Sequence, residues 1–366
     1  MKLSSDPVAK IDLNALQHNL ARVKLLAPNS QIMSVIKANA YGHGAVKAAH
    51  ALSDSDAFAV ARVSEGIQLR KEGISLPIVI LEGVNSAEEL NQAVDYSLSP
   101  VFHSGQQVEI VLETTLTQAL SFCWLMLDTG MHRLGFTTED AEQALKSLAT
   151  SSNIKGDINL MSHFANSDEL DDDRNTQQLA KLTDFNSAHN LLVSMANSAA
   201  IISLQDSHQQ WVRPGLMLYG ISPFEHRSAD ELGLQPAMQF VSSLIAIQQI
   251  PAGGQVGYGG SWTAQDETCI GIVSVGYADG YSRQLSNSAD VLINGVKVAV
   301  LGRVSMDMIA IDLSPCNDAK IGDEVILWGD KLLPVEQLAQ QANTIAYELV
   351  CQVSERVPRI YHYGES

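Results

Sequence analysis

Ser34-Val35-Ile36-Lys37-Ala38-Asn39-Ala40-Tyr41-Gly42-His43-Gly44 reads as a buried strand that runs into a glycine-relieved turn. Lys37 follows directly on the apolar run Ile32-Met33-Ser34-Val35-Ile36, where a strand leaves a core, and a charged amine is seldom placed there without a task. Burial and a cationic neighbourhood lower the pKa of an amine and make it a nucleophile near neutral pH, whereas a strand-end lysine that snorkels to solvent does neither. Tyr41 adds a phenol, and Gly42 and Gly44 are positions where backbone N–H groups can approach an anion with no side chain in the way. A lysine able to form a Schiff base beside a phosphate-friendly turn points to pyridoxal 5'-phosphate, with a sugar-phosphate site left open as the alternative.

Working outward, short apolar runs alternate with helical patterns over the first 230 or so residues. Asn14 is a fair N-cap for a helix with the stripe Leu16, Leu20, Val23 and Ala27, closed by Pro28. Candidate strands fall at 31–37, 57–61, 78–81, 97–101, 121–127, 157–162, 191–196 and 216–220. Ser86-Ala87-Glu88-Glu89 opens one intervening helix as a capping box, and Asp173 to Asn190 carries another. Eight such units, several apolar on both faces, predict a TIM-type (β/α)8 barrel. Such barrels present functional residues at the carboxyl ends of their strands. Lys37 ends the first strand, Asp128 and Arg133 follow the fifth, His163 the sixth and Asn197-Ser198 the seventh, while Arg213-Pro214-Gly215 precedes the eighth.

Beyond Pro236 the pattern changes to long β-type runs at 238–250 and 268–276 and the hairpin 291–298, whose Asn294-Gly295 suits a type I′ turn. Another strand follows a turn in 322–329, and one helix is expected near 334–342. The organisation expected is a barrel over 1–232, its first few residues packing with the second domain, and a mostly β C-terminal domain over 233–366.

With 366 residues and 46% hydrophobic content the chain can bury two cores. A formal charge of -18 opposes binding to nucleic acid or anionic membrane. No stretch has the roughly 20 apolar residues of a membrane span, and the N-terminus lacks the apolar core of a signal peptide, so a cytoplasmic location is expected. Cys123, Cys269, Cys316 and Cys351 are too widely spaced to suggest a disulfide framework or a zinc site, and Cys123 reads as a core residue. Asp171-Asp172-Asp173 reads as a solvated helix start.

VIKANAYGHG closely resembles the cofactor-lysine motif of bacterial alanine racemases. Further landmarks of that family recur in order as LDTGMHRLGF (127–136), SHFANSDE (162–169), ANSAA (196–200), WVRPGLMLYG (211–220), VGYGGSW (256–262), SVGYADGYSR (274–283) and GRVSMDMIAIDL (302–313). The resemblance covers nearly the whole chain and implies a fold-type III pyridoxal-phosphate enzyme, a head-to-tail homodimer with shared active sites, and supply of D-alanine for peptidoglycan. It implies a two-base mechanism on alanine, with Lys37 on one face and Tyr258 of the partner subunit on the other. By the same resemblance His163 contacts cofactor and tyrosine, Arg213 donates to the pyridine nitrogen, and Asn197 lies at the cofactor. Phosphate contacts fall on Tyr41, Ser198, the backbone of Gly215 and Leu216, and Tyr347. Arg133 and the Met306 backbone take the substrate carboxylate, and Tyr277 and Arg303 line the entrance. Ser198 also opens a short helix, which independently suits an anion.

One position departs from the family. Where relatives commonly carry a lysine, often carbamylated, that orients the arginine equivalent to Arg133, this chain has Met126, and a thioether supplies no negative charge. Ser305 stands where relatives often have cysteine. The alternatives are a non-catalytic pyridoxal-phosphate homeostasis protein, a fold-type III amino acid decarboxylase, and a racemase of broader specificity that accepts serine.

Overall fold

The computed structural model describes residues 6–364. Eight parallel strands close into a barrel: β2 (Gln31–Val35), β3 (Ala57–Val60), β4 (Ile78–Ile80), β5 (Leu98–Phe102), β6 (Leu120–Met126), β7 (Ile154–Met161), β8 (Val193–Ser194) and β9 (Trp211–Val212). Helices follow most of them and cover the outside, which is why β3, β4 and β5 are buried at every residue. β5 is fully buried although Ser97, Ser99 and Pro100 interrupt the apolar pattern of the candidate strand 97–101.

The eighth strand differs from expectation. It is Trp211–Val212, not 216–220, and Leu216–Tyr219 forms a buried 3₁₀ turn. A short run that is buried on all sides has no periodicity to separate strand from helix. Pro214, which lacks an N–H, bars the ladder from continuing beyond β9. Arg213 therefore follows the last strand instead of preceding it, and joins the other landmarks at the carboxyl end of the barrel.

The first helix, Leu13–Leu26, is capped by Asp12, not Asn14: the Asp12 carboxylate accepts from the N–H groups of Asn14 and Ala15. Its stripe Leu16, Leu20 and Val23 is buried as read. Ser86 caps Ala87–Asp95 through the Glu89 N–H, and Asp172 caps Asp173–Ser187.

The second sheet has the order β13 (Thr268–Val273), β16 (Ile309–Asp312), β15 (Val296–Leu301), β14 (Asp290–Ile293), β17 (Glu324–Trp328), β10 (Met238–Ile250), β1 (Val8–Asp12) and β18 (Arg359–His362). A further pairing of β13 with β10 closes six of these into a ring. A separate two-stranded ribbon joins β11 (Gln255–Val256) to β12 (Trp262–Thr263). β1, from the start of the chain, lies antiparallel to β10 and parallel to β18. The 291–298 hairpin turns at Asn294 (φ 50°) and Gly295 (φ 76°), as a type I′ turn requires. Besides Val335–Gln341 the domain has a second helix, Ala346–Gln352, not foreseen from sequence; it carries Tyr347. No helix among the described residues is long and apolar enough to cross a membrane.

Candidate active site

The carboxyl ends of the barrel strands surround a cavity of ≈ 440 Å³ lined by Lys37, Tyr41, Arg133, His163, Asn197, Ser198, Arg213, Gly215, Leu216 and Tyr347, with Met126 and Cys351 in the same wall. Tyr258, Tyr277, Arg303 and Met306 take no part in that lining.

Lys37 lies two residues past β2 and begins an unusual turn. Ala38, Asn39, Ala40 and Tyr41 all have positive φ, between 51° and 54°, a left-handed helical turn built without glycine. Each such residue costs roughly 1–2 kcal/mol, so the surroundings must hold the turn in place. Glu65 accepts from the Ala38 N–H (2.7 Å), and Asn39 accepts from the Ala45 N–H (2.8 Å). The two glycines have a different role from the one expected. Their N–H groups donate inside the turn, Gly42 to Ala38 and Gly44 to Asn39. A Cβ on Gly42 would stand 2.1 Å from the Val350 carbonyl, and one on Gly44 would overlap the Tyr361 hydroxyl. They admit the second domain, not an anion.

The Lys37 amine is half-buried, and desolvation followed by the nearby Arg133 charge lowers its pKa, while Glu65 and Glu82 work in the opposite direction. Arg213 is only 4% exposed. Its guanidinium donates to Ser194 Oγ (2.8 Å), to the Ser162 carbonyl and to His163 Nδ1 (3.1 Å), and among the described residues no carboxylate pairs with it. Burial pulls its pKa down to about 9, so it stays charged at neutral pH. Since a guanidinium cannot accept, His163 Nδ1 is the acceptor and the imidazole keeps its proton on Nε2. Burial first, then the charges of Arg213, Arg133 and Lys37, lower His163 to about 3 and keep it neutral.

On another wall, Ser198 Oγ accepts from the N–H groups of Gly215 (3.0 Å) and Met217 (3.2 Å), which leaves its own proton to donate. A Cβ on Gly215 would lie 2.8 Å from Tyr41 Oη, so bare backbone meets the phenol there. Asn197 caps the helix Ser198–Ser203 and accepts from Ser167 Oγ (2.8 Å). Tyr347 packs near Tyr41, ring centres 5.8 Å apart.

Arg133 is exposed at the mouth and makes no hydrogen bond or ion pair among the described residues. Asp128, the obvious partner, is occupied elsewhere: it accepts from the N–H groups of Gly130, Met131 and His132 and from His132 Nδ1 (2.9 Å). Burial, the largest single effect, raises its carboxyl pKa, but the bonds from His132 and Gly130 and the His132 charge together outweigh it and hold the carboxyl below the usual range.

The remaining four residues lie together on the second domain. Tyr258, 72% exposed, opens a short turn, and Arg303 packs over it: a Cβ on Gly259 would stand 3.1 Å from Arg303 Nη1. Tyr277 and Met306 sit on adjoining loops, tied by the Tyr277 N–H to the Ser305 carbonyl and the Ala278 N–H to the Met306 carbonyl (both 3.0 Å). Arg356 latches the same loops by bonding Asp279 and Asp307, each at 2.7 Å.

Sequence reasoning passed over Ser162, Ser194 and Glu65, whose bonds hold Arg213 and the Lys37 turn. Nothing local marks them, because their partners are distant in the chain. The cysteine spacing suggests neither a disulfide nor a zinc role for Cys351, and its place in the pocket wall depends on the helix that was not foreseen.

The residues present fit pyridoxal phosphate: a desolvated amine, a buried guanidinium with no counter-charge, and two hydroxyls, Tyr41 and Ser198, beside bare backbone at Gly215. The alanine racemase N-terminal domain model matches residues 11–223 and the C-terminal domain model residues 237–361. An alanine racemase of Pectobacterium carotovorum subsp. carotovorum is 45% identical, covering 98% of this chain and 99% of that protein. The crystal structure of the biosynthetic alanine racemase of Pseudomonas aeruginosa superposes with a TM-score of 0.92 at 42% identity, over 98% of this chain and 99% of that one. The structure of the alanine racemase of Acinetobacter baumannii gives 0.91 at 41%, with the same coverage. Alike in both domains and along nearly its full length, the chain belongs to the alanine racemase family.

Proposed function

We propose that the chain interconverts L-alanine and D-alanine on pyridoxal 5'-phosphate, Lys37 serving one face of the substrate Cα and Tyr258 of a second copy of the chain serving the other. What carries this reading is the meeting in one pocket of the desolvated Lys37 amine and the uncompensated Arg213 cation, in a chain matched by both racemase domain models.

Bound pyridoxal phosphate supplies an electron-withdrawing ring that acidifies the Cα–H of an attached amino acid. Tyr41 and Ser198 would hold its phosphate and Arg213 its ring nitrogen. Being protonated already, Arg213 donates a hydrogen bond there without releasing a proton, which keeps that nitrogen from full protonation and moderates electron withdrawal. Lys37 Nζ, its pKa lowered, is free to take or return a proton on its side. Tyr258 Oη does the same on the opposite side, with His163 Nε2–H as the hydrogen-bond donor to the phenolate. Arg133 meets the substrate carboxylate with its planar fork, aided by the Met306 N–H. Tyr258 and Tyr347 exclude larger side chains, and Tyr277 and Arg303 line the way in.

A shared site requires a homodimer. Supporting it, Tyr258, Tyr277, Met306 and Met308 are all large apolar residues left 44–72% exposed on the second domain. The reading also places the enzyme in the cytoplasm, with D-alanine going to cell-wall precursors.

A chiral assay tests the function: protein loaded with pyridoxal phosphate converts L-alanine to D-alanine and washes out the α-deuterium of labelled alanine. Bound cofactor with retained label identifies a carrier instead. Carbon dioxide released from lysine, ornithine or diaminopimelate identifies a decarboxylase.

A further inference from the structure

Four consecutive L-residues in the left-handed region do not hold themselves, and the side chain best placed to hold them is His43, which has no part in the reaction described above. Its ring is fully buried, and Nδ1 lies 3.0 Å from the Ala40 carbonyl and 2.9 Å from the Tyr41 carbonyl. Carbonyls only accept, so Nδ1 carries the proton and bridges two successive oxygens of the turn. The ring packs on Tyr219 at 4.5 Å between centres, and Tyr219 packs in turn on Tyr41 at 4.8 Å. Tyr219 Oη donates to the Val35 carbonyl (2.9 Å), two residues before Lys37. The Lys37 segment is thus gripped on both sides, by Tyr219 before the lysine and by His43 after it. Nε2 faces no hydrogen-bond partner, as fits a ring that stays neutral. Burial, with the nearby Arg359 charge, lowers the pKa to about 4 in spite of the two carbonyls.

We propose that His43 is a positioning residue for the cofactor pocket: its Nδ1–H, bridging the carbonyls of Ala40 and Tyr41, keeps the left-handed turn that aims Lys37 and Tyr41 into the cavity. The inference rests on the pyridoxal-phosphate reading for its consequence but not for its geometry. It separates the two properties of the ring. Asparagine at this position keeps an N–H close to where Nδ1 stands and loses the stacking; phenylalanine keeps the stacking and loses the donor.

The test compares His43→Asn and His43→Phe with the parent protein. In cofactor-free protein, amide hydrogen exchange over residues 37–45, followed by mass spectrometry, is expected to speed up in His43→Phe and to stay near the parent in His43→Asn. Losing a buried donor to two carbonyls is expected to weaken pyridoxal-phosphate binding by about tenfold to a hundredfold, measured by titrating cofactor-free protein, with His43→Asn restoring most of it. Racemase kcat follows the same order. Unchanged exchange and affinity in His43→Phe overturn the proposal. So does equal damage in both variants, which assigns the ring to packing alone. Should His43→Phe fail to fold, the tautomer in the parent protein decides by 15N NMR of labelled histidine: a proton on Nε2 in place of Nδ1 refutes the bridge. If the parent exchanges no α-proton yet the exchange pattern over 37–45 is as expected, the racemase reading fails and the role of His43 stands.

Discussion

In the proposed mechanism the barrel mouth and the loop face of the second domain each carry half of the chemistry, and they are finished to different degrees. At the barrel mouth the deepest polar groups have partners: Arg213 is fastened to Ser194, Ser162 and His163, and Ser198 accepts from two backbone N–H groups. On the loop face the backbone is just as firmly tied, by Arg356 to Asp279 and Asp307, yet Tyr258, Tyr277 and Met306 project uncovered. A surface that fixes its backbone and leaves its large side chains bare is arranged for contact with something outside the chain. On the proposed two-base reading, the difference teaches that one copy builds a pocket that can hold a cofactor but leaves it without its second acid–base group.

Lys37→Ala should break the barrel half outright, lowering racemase activity by at least about a thousandfold, since the variant loses both a nucleophile and a base. Loss of activity and of the visible Schiff-base absorption together check it. Retained turnover would mean that another amine does the work.

The shared-site comparison is sharpest in a mixing experiment. Lys37→Ala and Tyr258→Phe, each nearly inactive alone, should regain about a quarter of parental activity when co-refolded in equal amounts, because about half the dimers are mixed and each has one intact site. No recovery would put both groups in one chain's site and contradict the exposed position of Tyr258.

Between the two halves stands Arg133, with no carboxylate to orient it and Met126 in the wall beside it. Arg133→Lys should raise KM for alanine about tenfold with a smaller change in kcat, because a point charge replaces a planar fork. Met126→Lys should lower KM a few-fold if poor orientation limits binding, and an unchanged KM would show that Arg133 is held well enough by substrate alone.

The smallest effect concerns pH. His43 and His163 are both held neutral, with pKa values lowered from 6.5 to about 4 and about 3. The unfolded chain takes up protons below pH 6.5 that the folded chain refuses, so stability is constant above that value and falls as the pH drops towards 4. Each histidine contributes at most about 1.4 kcal/mol per pH unit. Denaturant midpoints of His43→Asn should fall less steeply with acid than those of the parent; parallel slopes would mean that His43 is charged in the folded state.

Much of this was legible in the chain itself. Apolar runs alternating with helical stripes pointed to the barrel, and Asn294-Gly295 to a hairpin of the second domain, because those signals are local: they depend on side-chain period and on allowed φ. The eighth strand was misplaced for the opposite reason. Leu216–Tyr219 is buried on every side, so its apolar run is silent about backbone shape, and only the packed barrel selects a 3₁₀ turn there over a strand. The Gly42 and Gly44 pair was read as an anion cradle, since a glycine announces that something comes close without naming it. Contacts with Val350 and Tyr361, more than 300 residues away, show that it is the second domain.

By itself the sequence determined the family, the barrel and the list of groups gathered at its carboxyl face, because these follow from order and type of residue. Tertiary structure alone decided that four residues after Lys37 wind left-handed and that Tyr258 lies outside the pocket of its own chain. Both depend on partners far along the chain as well as on near ones: Glu65 and Tyr219 hold the Lys37 segment, and Arg303 packs over the Tyr258 turn. Their contact energies exceed what local preference dictates, and no window of neighbouring residues contains them.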